Sequence, residues 1–105
     1  MNPCLALLVV CAAPDAESLQ RLKRAAVSAA WELTPGATTA EEALAQIEER
    51  RAHMLVVLGP MADLVARVRE RYPAMRIVSV GPMDGADVAV PSLEEVRAAV
   101  MPGAS

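Results

Sequence analysis

The sequence predicts an α/β fold, a doubly wound sandwich with helices on both faces of a mostly parallel sheet. Three observations carry this. Strand-like and helix-like stretches alternate along the whole chain, as in successive βαβ units. The central strands are apolar without interruption, the pattern of strands buried on both faces. The 105 residues, 54% hydrophobic and 22% charged, match one globular domain and not a disordered chain.

Leu5–Cys11 is a nearly continuous apolar run and reads as the first strand. Pro14-Asp15 opens a helix with Asp15 as its N-cap, and Leu19, Leu22, Ala26 and Ala29 or Ala30 keep helical spacing on one face. Trp31-Glu32-Leu33-Thr34 alternates as a short strand, stopped by Pro35-Gly36. Thr39-Ala40-Glu41-Glu42 has the capping-box pattern, a hydroxyl followed three residues later by a carboxylate. The helix it starts turns Ala43, Leu44 and Ile47 inward and Glu48, Glu49, Arg50 and Arg51 outward. Met54–Leu58 is a second apolar strand, closed by Gly59-Pro60. Met61, Leu64, Val65, Val68 and Tyr72 then recur at helical spacing until Pro73. Ile77–Val80 is a further buried strand, closed by Gly81-Pro82, and Val88–Val90 is a short final one. Ser92-Leu93-Glu94-Glu95 repeats the capping-box pattern before a helix with Val96, Ala99 and Val100 inward.

One connection is abnormal. Gly81–Gly85 is far shorter than the dozen or so residues that a parallel crossover normally takes. Either the chain crosses back as bare loop or the last strand is rudimentary; no full helix fits.

Composition narrows the chemistry. With aromatics at 2% and no Phe, the core must be built from Ala, Val, Leu and Met. A net charge of −3 and the lack of a basic cluster speak against direct nucleic-acid binding. One His, one lysine (Lys23) and two cysteines exclude mechanisms that need several of these. Cys4 and Cys11 fall in one predicted strand and cannot pair, so both are expected reduced, as in a cytoplasmic protein. The apolar run from Cys4 to Pro14 is about half a membrane span. His53 reads as a solvated surface histidine, the adjacent glutamate pairs as capping and surface residues, and Arg67, Arg69 and Arg71 as polar surface. Residues 1–101 are expected to form a single domain and 102–105 a flexible tail.

The order and spacing of several stretches resemble the receiver domain of bacterial two-component response regulators. They are Leu7-Leu8-Val9-Val10 before Pro14-Asp15, Ala37-Thr38-Thr39-Ala40-Glu41-Glu42-Ala43-Leu44, Met54–Leu58, Arg69-Glu70-Arg71-Tyr72-Pro73, Gly85-Ala86-Asp87 and Ser92–Glu95. The resemblance implies a flavodoxin-like three-layer sandwich of 4–5 strands in the order 2-1-3-4-5, with the fourth helix missing or vestigial. It also implies a site, and the site is not there. Where receivers hold Mg²⁺ with an acidic pair, this sequence reads Cys11-Ala12. The phosphoacceptor Asp position, ending the third strand, reads Leu58-Gly59, the Ser or Thr position is Gly81, and no Lys lies near Val90-Pro91. A divalent ion needs hard oxygen ligands, and phosphoryl transfer needs charge neutralisation. The implied function is that of a pseudo-receiver: a non-enzymatic regulatory domain in signalling or transcription, with no metal and no cofactor, acting by protein–protein contact.

A rival reading comes from Cys11 at the carboxyl end of the first strand, where doubly wound folds place their chemistry. That position resembles the phosphorylated Cys of the enzyme IIB phosphocarriers of cellobiose/lactose uptake systems, which also carry a Gly-Pro like Gly59-Pro60. Pro14, Asp15 and Glu17 suit a phosphate loop poorly. The missing helix leads to a further expectation, an uncovered apolar face involving Met83, Val88, Val90, Val96 and Val100. That face would bind a second copy or a helical partner protein.

Overall fold

Runs of Val, Leu and Ile that alternate neither in polarity nor in exposure form a fully parallel sheet with helices on both faces. The computed structural model describes residues 7–27, 31–59, 61–81, 83 and 85–100. The strands are β1 (Leu7–Ala12), β2 (Trp31–Leu33), β3 (Met54–Leu58), β4 (Arg76–Val80) and β5 (Val88–Val90). The helices are α1 (Ala16–Ala26), α2 (Ala40–Arg50), α3 (Ala62–Arg71) and α4 (Val96–Val100), the last preceded by a 3-10 turn over Leu93–Glu95. The sheet has five strands in the order β2-β1-β3-β4-β5, and every neighbouring pair is parallel. Cys4, Ala29, Ala30, Met101 and the 102–105 tail lie outside the described residues.

Strand parity sorts the core into two layers. Val10, Ala12, Leu55, Val57 and Ile77 face α2 and α3, packing on Leu44, Ile47, Leu64, Val65 and Val68. Val9, Cys11, Met54, Val56, Val78 and Val90 face α1 and α4, packing on Leu22, Ala26, Val96 and Val100. The core is built from aliphatic side chains and Met, with Trp31 as its one large aromatic. The Trp31 indole Nε1–H donates to the Ala26 carbonyl at 2.7 Å and so ties β2 to the end of α1. Truncating a fully buried member such as Leu55 to Ala costs about 2–5 kcal/mol.

Helix starts follow the sequence in two cases and depart from it in a third. Asp15 Oδ1 accepts the Ser18 N–H at 2.8 Å and caps α1. Thr39 Oγ1 accepts the Glu42 N–H at 3.2 Å, but Glu42 Oε1 accepts from the Thr38 N–H, one residue earlier than a reciprocal box closes. Ser92 makes no side-chain cap bond. Its backbone carbonyl accepts the Glu95 N–H at 3.2 Å, which produces the 3-10 turn in place of a capped α-helix start.

Both outcomes expected for the short crossover occur together: β5 has three residues, and among the described residues no helix lies between it and β4. The loop substitutes for cover. Met83 and Ala86 pack half-buried on the α2/α3 layer. Arg69 of α3 reaches across, donating from Nε to the Gly85 carbonyl at 2.7 Å and pairing with Asp87 at 2.6 Å. Asp87 in turn accepts the Ile77 N–H at 2.8 Å, and its own N–H donates to the Ile77 carbonyl at 2.9 Å. A side chain thus extends the β4–β5 ladder by one residue where the chain has no length for a longer strand.

Candidate functional site

In an open parallel sheet the chemistry belongs outside the carboxyl ends of the strands, where chain reversals create a crevice. Here those ends carry Cys11 and Ala12 on β1, Gly59 after β3, Gly81 after β4 and Val90 on β5. Cys11 and Ala12 are fully buried. Gly59 adopts φ +90°, and a Cβ built on it would stand 3.1 Å from both Cδ and Cγ of Pro14. A side chain at 59 would therefore press on the Pro14 ring more tightly than an ordinary van der Waals contact. Gly81 has the same φ of +90°, with nothing within 4 Å of a Cβ.

Proline is a recurring element at this rim. Pro14, Pro35, Pro60, Pro82 and Pro91 each follow a strand within two residues in the sequence. Proline has no N–H, so each one removes a backbone donor from the region where a phosphate would need donors.

Among the described residues, Asp15, Asp63 and Glu41 are engaged in other contacts. Asp15 is exposed and works as the α1 cap; the Ser18 N–H holds its carboxyl below the usual range. Asp63 pairs with Arg67 at 3.2 Å, and Arg67 also contacts Glu41 at 3.3 Å. No group of three or more His, Cys, Asp or Glu able to hold a metal occurs among the described residues. Lys23 donates from Nζ to the Pro35 carbonyl at 2.9 Å, just past the end of β2.

Cys11 lies on the α1/α4 side of the sheet, without exposed surface. Burial pushes its thiol up to about 12; Lys23 pulls the other way and loses. A nucleophile must be a thiolate and must be reachable. Cys11 is buried and held as the thiol, which does not favour the rival assignment of a phosphorylated Cys.

The expected interaction surface is corrected, and strand parity explains why. Val88 and Val90 pair with Val78 and Val80 in register, which places them on the α1/α4 face and not under the missing helix. Val90 is buried, and Val96 and Val100 are the inward side chains of α4. Met83 and Val88 alone of that set are half-exposed. The strand residues on the other face are Ile77 and Ser79, both fully buried, and Ala89. Ser79 Oγ donates to the Gly81 carbonyl at 2.8 Å, satisfying the hydroxyl that lies nearest the vacant Ser/Thr position.

Elsewhere, His53 is exposed as expected, but Nδ1 accepts the Leu8 N–H at 3.2 Å, continuing the β1–β3 pairing. The glutamate pairs are exposed. Arg69 differs from the surface arginine expected: besides Gly85 and Asp87 it bonds the Pro73 and Met75 carbonyls at 3.3 and 3.1 Å. Its spacing from Asp87 carries no sequence signal, since charge pairs that close long loops follow no fixed register.

No protein-family model matches the sequence, and no curated protein does. Solved structures do. The signal receiver domain of an HD domain-containing protein from Pseudomonas fluorescens Pf-5 superposes with TM-score 0.68 at 18% identity, covering 90% of each chain. A CheY-like response regulator receiver domain protein from Methanospirillum hungatei JF-1 gives TM-score 0.66 at 19% identity over 83% of each chain. The chain has the receiver fold, in the flavodoxin-like strand order.

Proposed function

We propose that this chain is a pseudo-receiver: a non-catalytic domain that is not phosphorylated on Asp and regulates signalling or transcription by binding another protein. One observation carries the reading. The phosphoacceptor position reads Leu58-Gly59, with no carboxylate, and a Cβ on Gly59, at φ +90°, would stand only 3.1 Å from the Pro14 ring. The flanking positions Cys11, Ala12 and Gly81 supply no ligand for a divalent cation.

What remains is a scaffold and its surface. The partner, or a second copy, would meet the β4–β5 crossover, where Met83 and Val88 are half-exposed and the loop replaces a helix. Met adapts its shape to a partner at small energetic cost. No helix among the described residues is long and apolar enough to cross a membrane, and the buried thiol suits a reducing compartment, which supports a role in the cytoplasm.

Thermal unfolding with added Mg²⁺ tests the reading, because a ligand stabilises only a state that it binds. Melting temperature is expected to stay constant through millimolar Mg²⁺. A concentration-dependent rise would restore a metal site and overturn the proposal.

A further inference from the structure

At the opposite end of the sheet from this rim, the C-terminal ends of α2 and α3 border a groove of about 590 Å³. Ile47, Glu48, Arg51, Ala52, Arg71 and Tyr72 line it. We propose that this groove binds a small phosphate ester, with Arg51 and Arg71 holding the phosphate and the rest of the ester lying against Ala52 and Tyr72. The inference is independent of the pseudo-receiver reading, since no residue is shared between the two sites.

Size and chemistry agree with such a ligand. The groove's volume lies within the ~300–1,000 Å³ of small-molecule sites, and its lining is open and more polar than apolar, which suits a charged ligand. Two guanidiniums from different helices offer planar donor forks that match phosphate oxygens. Arg71 is free enough to serve: its contact with Glu48 is long, at 3.7 Å, and both side chains are more than half exposed. The Arg71 guanidinium sits 5.9 Å from the Tyr72 ring centroid, which favours an orientation along the groove.

Arg51 supplies the independent observation. It is the only non-glycine residue with positive φ among the described residues, at φ 55° and ψ 53°, and it closes α2 with its N–H on the Ile47 carbonyl. Glycine is the ordinary occupant of such a left-handed helix end because a Cβ is strained there. Helix-dipole complementarity explains basic residues in the last turns of α2 and α3. It does not explain an arginine at the one strained position, in the lining of the same groove as Arg71. Retained strain of this kind marks functional positions.

The strain also yields a discriminating test. The full chain, ¹⁵N-labelled, is titrated with adenosine monophosphate as probe, alongside adenosine and inorganic phosphate. Saturable shifts are expected at the amides of Arg51, Ala52, Arg71 and Tyr72, weakening with salt, and absent with adenosine. Inorganic phosphate should shift Arg51 and Arg71 more weakly, because it leaves Ala52 and Tyr72 uncovered. Arg51→Gly should weaken binding by about tenfold or more, the loss of one charge-assisted contact, while the melting temperature holds or rises. Glu48→Gln should tighten binding by removing the competing carboxylate. No saturable shift at these amides, equal binding of adenosine, unchanged affinity in Arg51→Gly, or a lower melting temperature in that variant would each overturn the proposal.

Discussion

Gly59 and Gly81 form a natural pair of controls. Both end a strand, both precede a proline, and both have φ +90°. They differ in surroundings: a Cβ at 81 meets open space, whereas one at 59 stands 3.1 Å from two carbons of Pro14. Substituting Ala at 81 should therefore cost only the backbone strain of a left-handed L-residue, about 1–2 kcal/mol. Ala at 59 adds the displacement of a packed ring, at the lower end of the overpacking range, about 1 kcal/mol. Gly59→Ala should thus lose about 2–3 kcal/mol, a fall in melting temperature of roughly 10–20 °C for a domain of this size, and Gly81→Ala about half of it. The Pro14 share is isolated by a double-mutant cycle: Pro14→Ala should reduce the cost of Gly59→Ala by about 1 kcal/mol and leave that of Gly81→Ala unchanged. Urea unfolding followed by circular dichroism measures all of these. Gly59→Asp, which restores the phosphoacceptor side chain, should be at least as unstable as Gly59→Ala and gain nothing from Mg²⁺. Equal costs at 59 and 81 would refute the claim that Pro14 packs against Gly59.

Three further outcomes follow from named contacts. Partial burial works to raise the Asp87 carboxyl, but the Ile77 N–H and Arg69 outweigh it and hold it below the usual range. The stability this carries is present above the ordinary carboxylate value of about 3.9 and is lost as pH falls below it. Arg69→Ala should lower stability at neutral pH by about 1–3 kcal/mol, and acid titration of its unfolding free energy should show a smaller loss than wild type; parallel profiles would contradict the latch. Cys11 should resist thiol reagents at pH 8 under native conditions, by peptide mapping, and react only as the chain unfolds; fast labelling would contradict its burial. Sedimentation of the wild type at micromolar concentration, with and without a bound partner, should respond to Met83→Glu or Val88→Glu; association unchanged in both variants would move the interface elsewhere.

Much of the fold was legible because its signals are local. Unbroken apolar runs at Val9–Cys11 and Met54–Leu58 define buried parallel strands, and helical spacing at Leu64, Val65 and Val68 defines α3. The short crossover after β4 was legible as a length. Which face Val88 and Val90 occupy was not, because a three-residue strand between loops carries no parity until its register with Val78 and Val80 is known. The 3-10 turn at Leu93–Glu95 shares its pattern with the Thr39 cap, and only packing distinguishes them. That Cys11, Ala12, Gly59 and Gly81 carry no carboxylate, hydroxyl or amine could be read residue by residue. That Pro14 packs against Gly59 could not, since the two residues that meet are far apart in sequence. Arg69–Asp87 and the Arg51 helix end are hidden for the same reason: one is a long-range pair, the other a backbone conformation that arginine seldom adopts.

The central claim is that a receiver scaffold persists here without its phosphotransfer site. Incubating the full chain with a small-molecule phosphodonor and Mg²⁺, then measuring intact mass, tests it most directly. The account predicts an unmodified mass under conditions that phosphorylate an authentic receiver run in parallel. A mass increase of one phosphoryl group, labile as an acyl phosphate and mapped to any Asp, would contradict it.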